Sequence, residues 1–286
     1  MYAIKPLEEL TFTDDYMFGA VMHNAEICAE VIERLLHIKV DHVEYPELQK
    51  VLKPYYTSKG VRLDVYVKDS DRVIDIELQN KKFDALGKRS RYYQSMLDMD
   101  ALMSGSDYSE LKESYVLFIC NHDPFNKNLP CYTFKNICTE NSTVELADKA
   151  VKVFYNATAY EEEKDPQVYS FLQFVCKNSA SDSLTERITS LVERLKLQEE
   201  FKTEYAAVNL HDRDIRKEAL EEGRVLGLSQ GLSQGISQGI SQGISQKATE
   251  AARNLLNMHL GTPEQIAQAQ GLTLEEVLEI KKELEN

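Results

Sequence analysis

The chain has 286 residues, of which 43% are hydrophobic and 28% charged, and its formal net charge is −14. This length suits one well-buried domain with appended elements, and the acidic balance excludes a chain-wide attraction to nucleic acid, so any phosphate-binding residues must be local. Five scattered cysteines without a CxxC pair lack the spacing of a structural zinc site and of a disulfide framework, which favours the reducing cytoplasm.

The first predicted element is helical and covers residues 13–36. Ile27, Val31 and Leu35 recur every four residues, as on the buried face of a helix. The pattern allows either one long helix or two helices with a break near residues 23–24.

Two short strands are predicted next, in RLDVYV (62–67) and VIDIELQ (73–79). In both segments apolar residues alternate with polar ones, which is typical of strands with one solvated face. A short turn would join them as a hairpin and bring Asp64 close to Glu77. Asp75 shares the face of Glu77, and we interpret it as a solvated acid or as a support for a site.

The pattern then returns to a helix from Asp84 to about Met103, followed by apolar strands at residues 115–120 and 150–157. This mixture of helices and strands predicts an α/β sandwich with a mixed sheet that closes near residue 180.

Beyond the sandwich the sequence predicts three further segments. They are a helical connector at 181–222, interrupted near 209–214, an SQG(L/I) tetrapeptide repeat at 223–246, and a helical hairpin at 247–286. A period of four residues exceeds the 3.6 of a helix, and glycine costs a helix roughly 1 kcal/mol relative to alanine. The repeat therefore suits either a flexible tether or a helix that self-associates through close glycine contacts.

The hairpin has the form of a helix-turn-helix, but its second helix is mainly acidic, which opposes contact with a DNA groove. We interpret it as a protein-contact element.

Asp64 and Glu77 are the candidate chemical groups. Hydrolysis of a phosphodiester requires compensation of charge on the phosphate, and Mg²⁺ held by carboxylates supplies it. Gln79, on the face of Glu77, could orient water or a phosphate oxygen. The alternative is a hairpin that carries two acids on its solvated face without binding a metal.

A local basic cluster follows the second strand, in a segment with Asp84 as its single acid. Its members are Lys81, Lys82, Lys88, Arg89 and Arg91. We expect them to bind the DNA backbone, the alternative being a solvated helix face.

Four motifs in this order resemble the PD-(D/E)xK nuclease superfamily. They are TDDYMF (13–18), RLDVYV (62–67), IDIELQ (74–79) and RSRYYQSML (89–97). The narrower resemblance is to the recombination-promoting nuclease family, also described as PD-(D/E)xK family transposases or transposase/invertase proteins. It covers about residues 10–180, and the repeat and tail are similar to that family's variable C-terminus.

The resemblance implies a restriction-endonuclease-like αβββαβ core with a mixed sheet within residues 1–180, followed by an α-helical C-terminal extension. It makes Asp64 and Glu77 the metal ligands, for Mg²⁺ or another divalent cation such as Mn²⁺. It also makes Gln79 a catalytic residue, at the position where the PD-(D/E)xK superfamily usually has lysine. Four accessory residues follow from the same motifs: Asp15, Tyr92, Tyr93 and Gln94.

The function implied is a metal-dependent endonuclease of double-stranded DNA, acting in DNA recombination or in defence against foreign DNA. The glycine repeat suggests a homo-oligomer formed through the C-terminal region, and the resemblance implies a C-terminal fragment made as a separate small protein. The competing hypothesis is a catalytically weak, nuclease-like scaffold that oligomerises through its repeat and tail.

Overall fold

The computed structural model describes residues 5–40, 43, 47–52, 61–69, 71–102 and 105–285. The chain divides into two compact units, residues 1–207 and 208–286. The α-helices and β-strands described within the first unit are α1 (Asp15–Met22), α2 (Ala25–Leu36), β1 (Glu47–Leu52), β2 (Val61–Asp69), β3 (Arg72–Gln79), α3 (Leu86–Ala101), β4 (Glu113–Cys120), β5 (Cys131–Phe134), β6 (Ala150–Asn156), α4 (Pro166–Lys177) and α5 (Ser183–Leu197).

The described strands form one six-stranded mixed sheet in the order β1-β2-β3-β4-β6-β5. β1, β2 and β3 pair antiparallel, β3, β4 and β6 pair parallel, and β5 lies antiparallel to β6 at the edge. Helix α3 is the crossover that parallel strands β3 and β4 require. The αβββαβ core that the resemblance implied is therefore confirmed, and β5 and β6 are two strands in addition to it.

Helices cover both faces of this sheet. Residues Ile74, Ile76 and Leu78 of β3 belong to a core formed with α1, α2, α4 and α5. On the opposite face, Val73 packs in a second core with Leu97 and other residues of α3. The polar side chains of β3 are consequently enclosed beneath α3.

The prediction of a solvated polar face on β3 is therefore wrong. Asp75 and Glu77 are 0% exposed and Gln79 is 5% exposed. Strand alternation distinguishes the two faces of a strand, but it does not reveal whether a distant helix covers the polar one.

The N-terminal region contains two helices rather than one. The break lies at His23 and Asn24, where the Asn24 side chain accepts a hydrogen bond from the backbone N–H of Ile27 at 3.0 Å. Asparagine is a favoured residue at this position because it satisfies a free N–H of the first turn. The helix predicted at 84–103 is α3, and Met103 lies outside the described residues.

The remaining elements are helical: α6 (Glu199–Asn257), α7 (Pro263–Gln270) and α8 (Leu274–Glu285). α6 runs continuously through residues 209–214, so the predicted interruption is wrong. The segment before Gly223 lacks proline and glycine, the two residues that most disfavour a helix. The SQG(L/I) repeat is helical as well and forms part of α6.

The C-terminal helices have a small core of their own, which includes Ala252, Ile266, Val277 and Ile280. Gly271, with φ of 68°, ends α7 in the left-handed conformation that glycine adopts without a Cβ clash. None of the described helices has both the length and the apolar character needed to cross a lipid bilayer.

Candidate active site

Asp64 and Glu77 meet where strands β2 and β3 separate. The β2–β3 register runs from Asp69 opposite Arg72 to Val65 opposite Ile76. At the next position, Asp64 and Glu77, hydrogen bonds from backbone N–H groups to the two carboxylates take the place of backbone pairing between the strands. The Asp64 backbone N–H donates to Glu77 Oε1 at 3.0 Å, and the Leu78 N–H donates to Asp64 Oδ2 at 3.2 Å. The structure thus brings the two predicted metal ligands together and fixes each by a backbone N–H.

Glu77 is an acid in an unfavourable electrostatic setting. Burial, and next the negative charge of Asp64, raise its pKa from 4.5 to about 8, although Arg89 and the Asp64 N–H oppose the shift. The charge of Asp15, at the start of α1, also raises the pKa of Glu77, so this predicted accessory acid lies within electrostatic reach of the site. Perturbed carboxyl groups of this kind concentrate at functional sites.

Asp75 is a third acid of the same face. Burial, followed by the charges of Glu77 and Asp64, raises its pKa well above the usual range. Neither of its carboxylate oxygens has a hydrogen-bond partner among the described residues. Its interpretation as a solvated acid is wrong, because α3 covers this face of β3 and excludes water.

Arg89 lies in the first turn of α3 and points toward these acids. Its Nη2 donates to Glu77 Oε2 at 2.8 Å, its Nη1 donates to Gln79 Oε1 at 3.1 Å, and its Nε donates to the Tyr93 hydroxyl at 2.8 Å. Gln79 in turn donates from Nε2 to Glu77 Oε2 at 3.4 Å. One guanidinium therefore links Glu77, Gln79 and Tyr93.

The other predicted DNA-binding residues have exposed side chains. Lys82 donates to the Asn126 side chain at 2.8 Å, which connects the segment after β3 to the loop after β4. Lys81, Lys88 and Arg91 are exposed on the segment that leads into α3 and on α3 itself. The basic cluster thus divides into Arg89, which contacts the acids, and a set of exposed cations.

The predicted accessory residues on α3 have different surroundings. Tyr92 is partly exposed, whereas Tyr93 and Gln94 are buried. The Gln94 amide donates to the hydroxyl of Ser114 on β4, which places it in a polar contact between α3 and the sheet. Burial raises the pKa of Tyr93, and the charge of Glu77 raises it further, so its hydroxyl remains a neutral partner for Arg89.

His122 is a residue of this region that sequence reasoning missed. It lies two residues after the end of β4, and the N–H of neighbouring Asn121 donates to the Gln79 carbonyl at 2.9 Å. Burial, and next the charge of Lys82, lower the pKa of His122, and its buried Nδ1 has no hydrogen-bond partner among the described residues. The carboxyl ends of parallel strands commonly form ligand sites, so a histidine just after a buried strand was the available signal.

The donors at this site are oxygen atoms, which are the ligands that Mg²⁺ and Mn²⁺ prefer. Within the described part of the chain, however, no group of three or more His, Cys, Asp or Glu side chains is arranged to hold a metal ion. Asp64 and Glu77 remain the predicted ligands of such a cation.

A comparison with protein families identifies the family of the chain. The family model described as PD-(D/E)XK nuclease family transposase matches residues 11–222. That range contains β2, β3 and α3, and with them the acid cluster of Asp64, Asp75 and Glu77. Neither the curated proteins nor the solved structures contain a match to the chain. Because the matched range is more than half of the sequence, the chain belongs to the PD-(D/E)XK nuclease family transposases, a family of nuclease type.

Proposed function

We propose that this protein is a metal-dependent endonuclease that hydrolyses phosphodiester bonds of double-stranded DNA. The observation that carries the proposal is the meeting of Asp64 and Glu77 at the point where β2 and β3 separate, each held by a backbone N–H. Family membership supports the nuclease chemistry and implies binding to DNA.

The side chains of Asp64 and Glu77 have the chemistry of ligands for a divalent cation. Asp64 and Glu77 offer carboxylate oxygens, and the raised pKa of Glu77 reflects negative charge that a cation would neutralise. Bound at these two ligands, Mg²⁺ or Mn²⁺ would neutralise charge on the transferring phosphate and lower the pKa of the attacking water.

The protein's own residues have separate roles in this proposal. Asp64 and Glu77 hold the cation, and their backbone hydrogen bonds keep the carboxylates in place. Gln79, fixed by Arg89 and close to Glu77, orients water or a phosphate oxygen through its amide. An amide carries no charge, so Gln79 cannot provide the positive charge of a lysine at this position.

The exposed cations supply the attraction to DNA. Four exposed cations lie just before α3 or in its first turns, on a chain whose net charge is −14: Lys81, Lys82, Lys88 and Arg91. A local basic surface of this kind gives salt-dependent contacts to phosphates without base specificity. In the cell, we propose a role in DNA recombination or in defence against foreign DNA, consistent with the transposase description of the family.

The decisive experiment is nicking of supercoiled plasmid by the purified protein with Mg²⁺ or Mn²⁺, beside Glu77→Gln and a chelator control. Cleavage that disappears in both controls supports the proposal. Equal cleavage by the wild type and Glu77→Gln would assign the activity to a contaminant and contradict it.

A second candidate function is a nuclease-like scaffold, and the repeat favours it. The Leu and Ile residues of the repeat helix are between 55% and 67% exposed: Leu228, Leu232, Ile236, Ile240 and Ile244. A regular row of exposed apolar side chains suits self-association, in the whole chain or in a separately made C-terminal fragment. DNA binding without cleavage, unaffected by Asp64→Ala, would favour this scaffold over the nuclease.

A further inference from the structure

The guanidinium of Arg89 occupies the place where positive charge is needed in the acid cluster. Its Nη2 lies 2.8 Å from Glu77 Oε2, and its side chain is 30% exposed while that of Glu77 is 0% exposed. Ion pairs of this type are shorter and stronger than neutral hydrogen bonds. Arg89 therefore compensates part of the negative charge of an ionised Glu77.

Arg89 is also well placed to replace the charge that Gln79 lacks. Nη1 of Arg89 donates to Gln79 Oε1 at 3.1 Å, so the cation lies directly beside the neutral amide. The Tyr93 hydroxyl, one helical turn further along α3, accepts from Nε and fixes the orientation of the guanidinium plane. The charge is supplied from the helix rather than from the strand.

Arg89 cannot stay paired with Glu77 during catalysis if Glu77 binds a divalent cation. Glu77 Oε1 already accepts the Asp64 N–H, and Oε2 accepts Arg89. A guanidinium and a divalent cation on the same carboxylate would repel each other. Since Arg89 is partly exposed, it can turn toward the entrance of the site, and its planar fork suits a phosphate oxygen pair.

We propose that Arg89 is a further catalytic residue that exchanges partners. In the metal-free protein its Nη2 donates to Glu77 Oε2, and in the loaded protein it leaves Glu77 and contacts the phosphate of the scissile bond. This inference rests on the proposed function and deepens it, because it assigns transition-state charge stabilisation to a residue of α3.

The exchange predicts two effects of opposite sign for Arg89→Gln. Metal affinity should rise, because a competitor for Glu77 is removed. The cleavage rate at saturating metal should fall, because a charge on the phosphate is lost. A purely structural role for Arg89 would instead lower both the metal affinity and the rate.

The test uses full-length protein and compares the wild type, Arg89→Gln and Arg194→Gln. Arg194 is exposed on α5, so its substitution makes the same change of charge outside the site. Calorimetric titration with Mn²⁺ should show tighter binding by Arg89→Gln, by roughly two- to fivefold, as expected for one partly exposed ion pair. Nicking of plasmid at saturating Mn²⁺ should be roughly 100-fold slower, as for loss of one charge-stabilising group. Arg194→Gln should match the wild type in both assays.

Unchanged or weaker Mn²⁺ binding by Arg89→Gln overturns the inference, whether or not the wild type cleaves DNA. A cleavage rate within about threefold of the wild type overturns it as well, since removal of such a group costs roughly 100-fold or more. Failure of the proposed function has a different signature, which is equal cleavage by the wild type and Glu77→Gln. Arg89→Lys keeps the charge without the fork, so it should retain wild-type Mn²⁺ affinity and an intermediate rate even if Arg89→Gln folds poorly.

Discussion

The Arg89 guanidinium lies 2.8 Å from the fully buried carboxylate of Glu77, yet the pKa of Glu77 remains raised to about 8. Burial and the nearby charge of Asp64 therefore outweigh the attraction of one guanidinium. Two carboxylates held close together by backbone N–H groups cannot both ionise without a cost that the fold alone does not offset. The site is consequently arranged so that an added cation stabilises it.

This arrangement predicts how the stability of the metal-free protein depends on pH. Between pH 4.5 and about 8, folded Glu77 binds a proton that the unfolded chain has lost. The contribution of Glu77 to the free energy of unfolding therefore rises as the pH is lowered from 8 toward 4.5 and declines as the pH is raised. Chemical denaturation of the chelated protein at several pH values measures it.

Glu77→Gln is the control for that pH dependence, because it removes the titrating proton and preserves the shape of the side chain. The difference in unfolding free energy between the wild type and Glu77→Gln should become less favourable to the wild type as the pH rises. Saturating Mn²⁺ should reverse the trend for the wild type, since metal binding requires the ionised carboxylate. A difference that does not change with pH contradicts the assignment.

Asp64→Asn should separate catalysis from folding. The Asn side-chain oxygen can still accept the Leu78 N–H, so the free energy of unfolding should change by no more than about 1 kcal/mol. Cleavage should fall by at least roughly 100-fold, because charge stabilisation by a held cation is worth several kcal/mol. Nicking assays and thermal unfolding of the same preparations measure both. Cleavage at the wild-type rate would remove Asp64 from the proposed ligands.

Asp75→Asn should stabilise the metal-free protein. The Asp75 carboxylate is fully buried without a hydrogen-bond partner among the described residues, and burial raises its pKa. Removal of an uncompensated buried charge should add about 1–3 kcal/mol to the free energy of unfolding, with the larger gain at higher pH, where the wild-type group would ionise.

A matched control for Asp75 is Asp98, a partly buried acid of α3 that accepts a hydrogen bond from Ser114 at 3.3 Å. Asp98→Asn alters an acid that has a partner, so it should give no gain in stability. Denaturant unfolding at two pH values compares the variants. A loss of stability in Asp75→Asn would mean that the Asp75 carboxylate has a compensating interaction in solution.

The sequence predicts the acid pair because strand alternation and a short turn act over few residues. Asp64 and Glu77 lie on neighbouring strands, and their proximity follows from hairpin pairing. The burial of Asp75 could not be predicted in this way, since it depends on α3, which returns over the sheet as a crossover. Local pattern determines the faces of a strand, and tertiary packing determines which face meets water.

The contact of Arg89 with Glu77 likewise could not be predicted from the sequence pattern. A run of five cations near a candidate site predicts attraction to phosphate, but it does not distinguish the one whose side chain reaches the acids. The available signal was the spacing of Arg89 and Tyr93, four residues apart and hence on one face of α3. The helical state of the repeat was also left open, because glycine disfavours a helix while the regular Leu and Ile favour one.

The glycines of the repeat provide the last prediction. A Cβ added at Gly231, Gly235 or Gly239 would meet nothing within 4 Å, and all three lie inside α6. Substitution of all three by alanine should therefore stabilise this helix by roughly 1 kcal/mol per site. Circular dichroism during thermal unfolding of the full-length protein measures the gain. Unchanged helix stability would contradict a helical repeat and favour a tether.

The same triple variant tests self-association by sedimentation velocity. If copies of the chain pack through close contact at the glycines, added methyl groups separate the helices and the oligomer should dissociate although each helix is more stable. Gln234→Ala and Gln238→Ala are the controls, since they change exposed residues of the same helix without filling a glycine position. An oligomer that survives the glycine substitutions would instead be held by the exposed Leu and Ile side chains, and a wild-type monomer would exclude both modes.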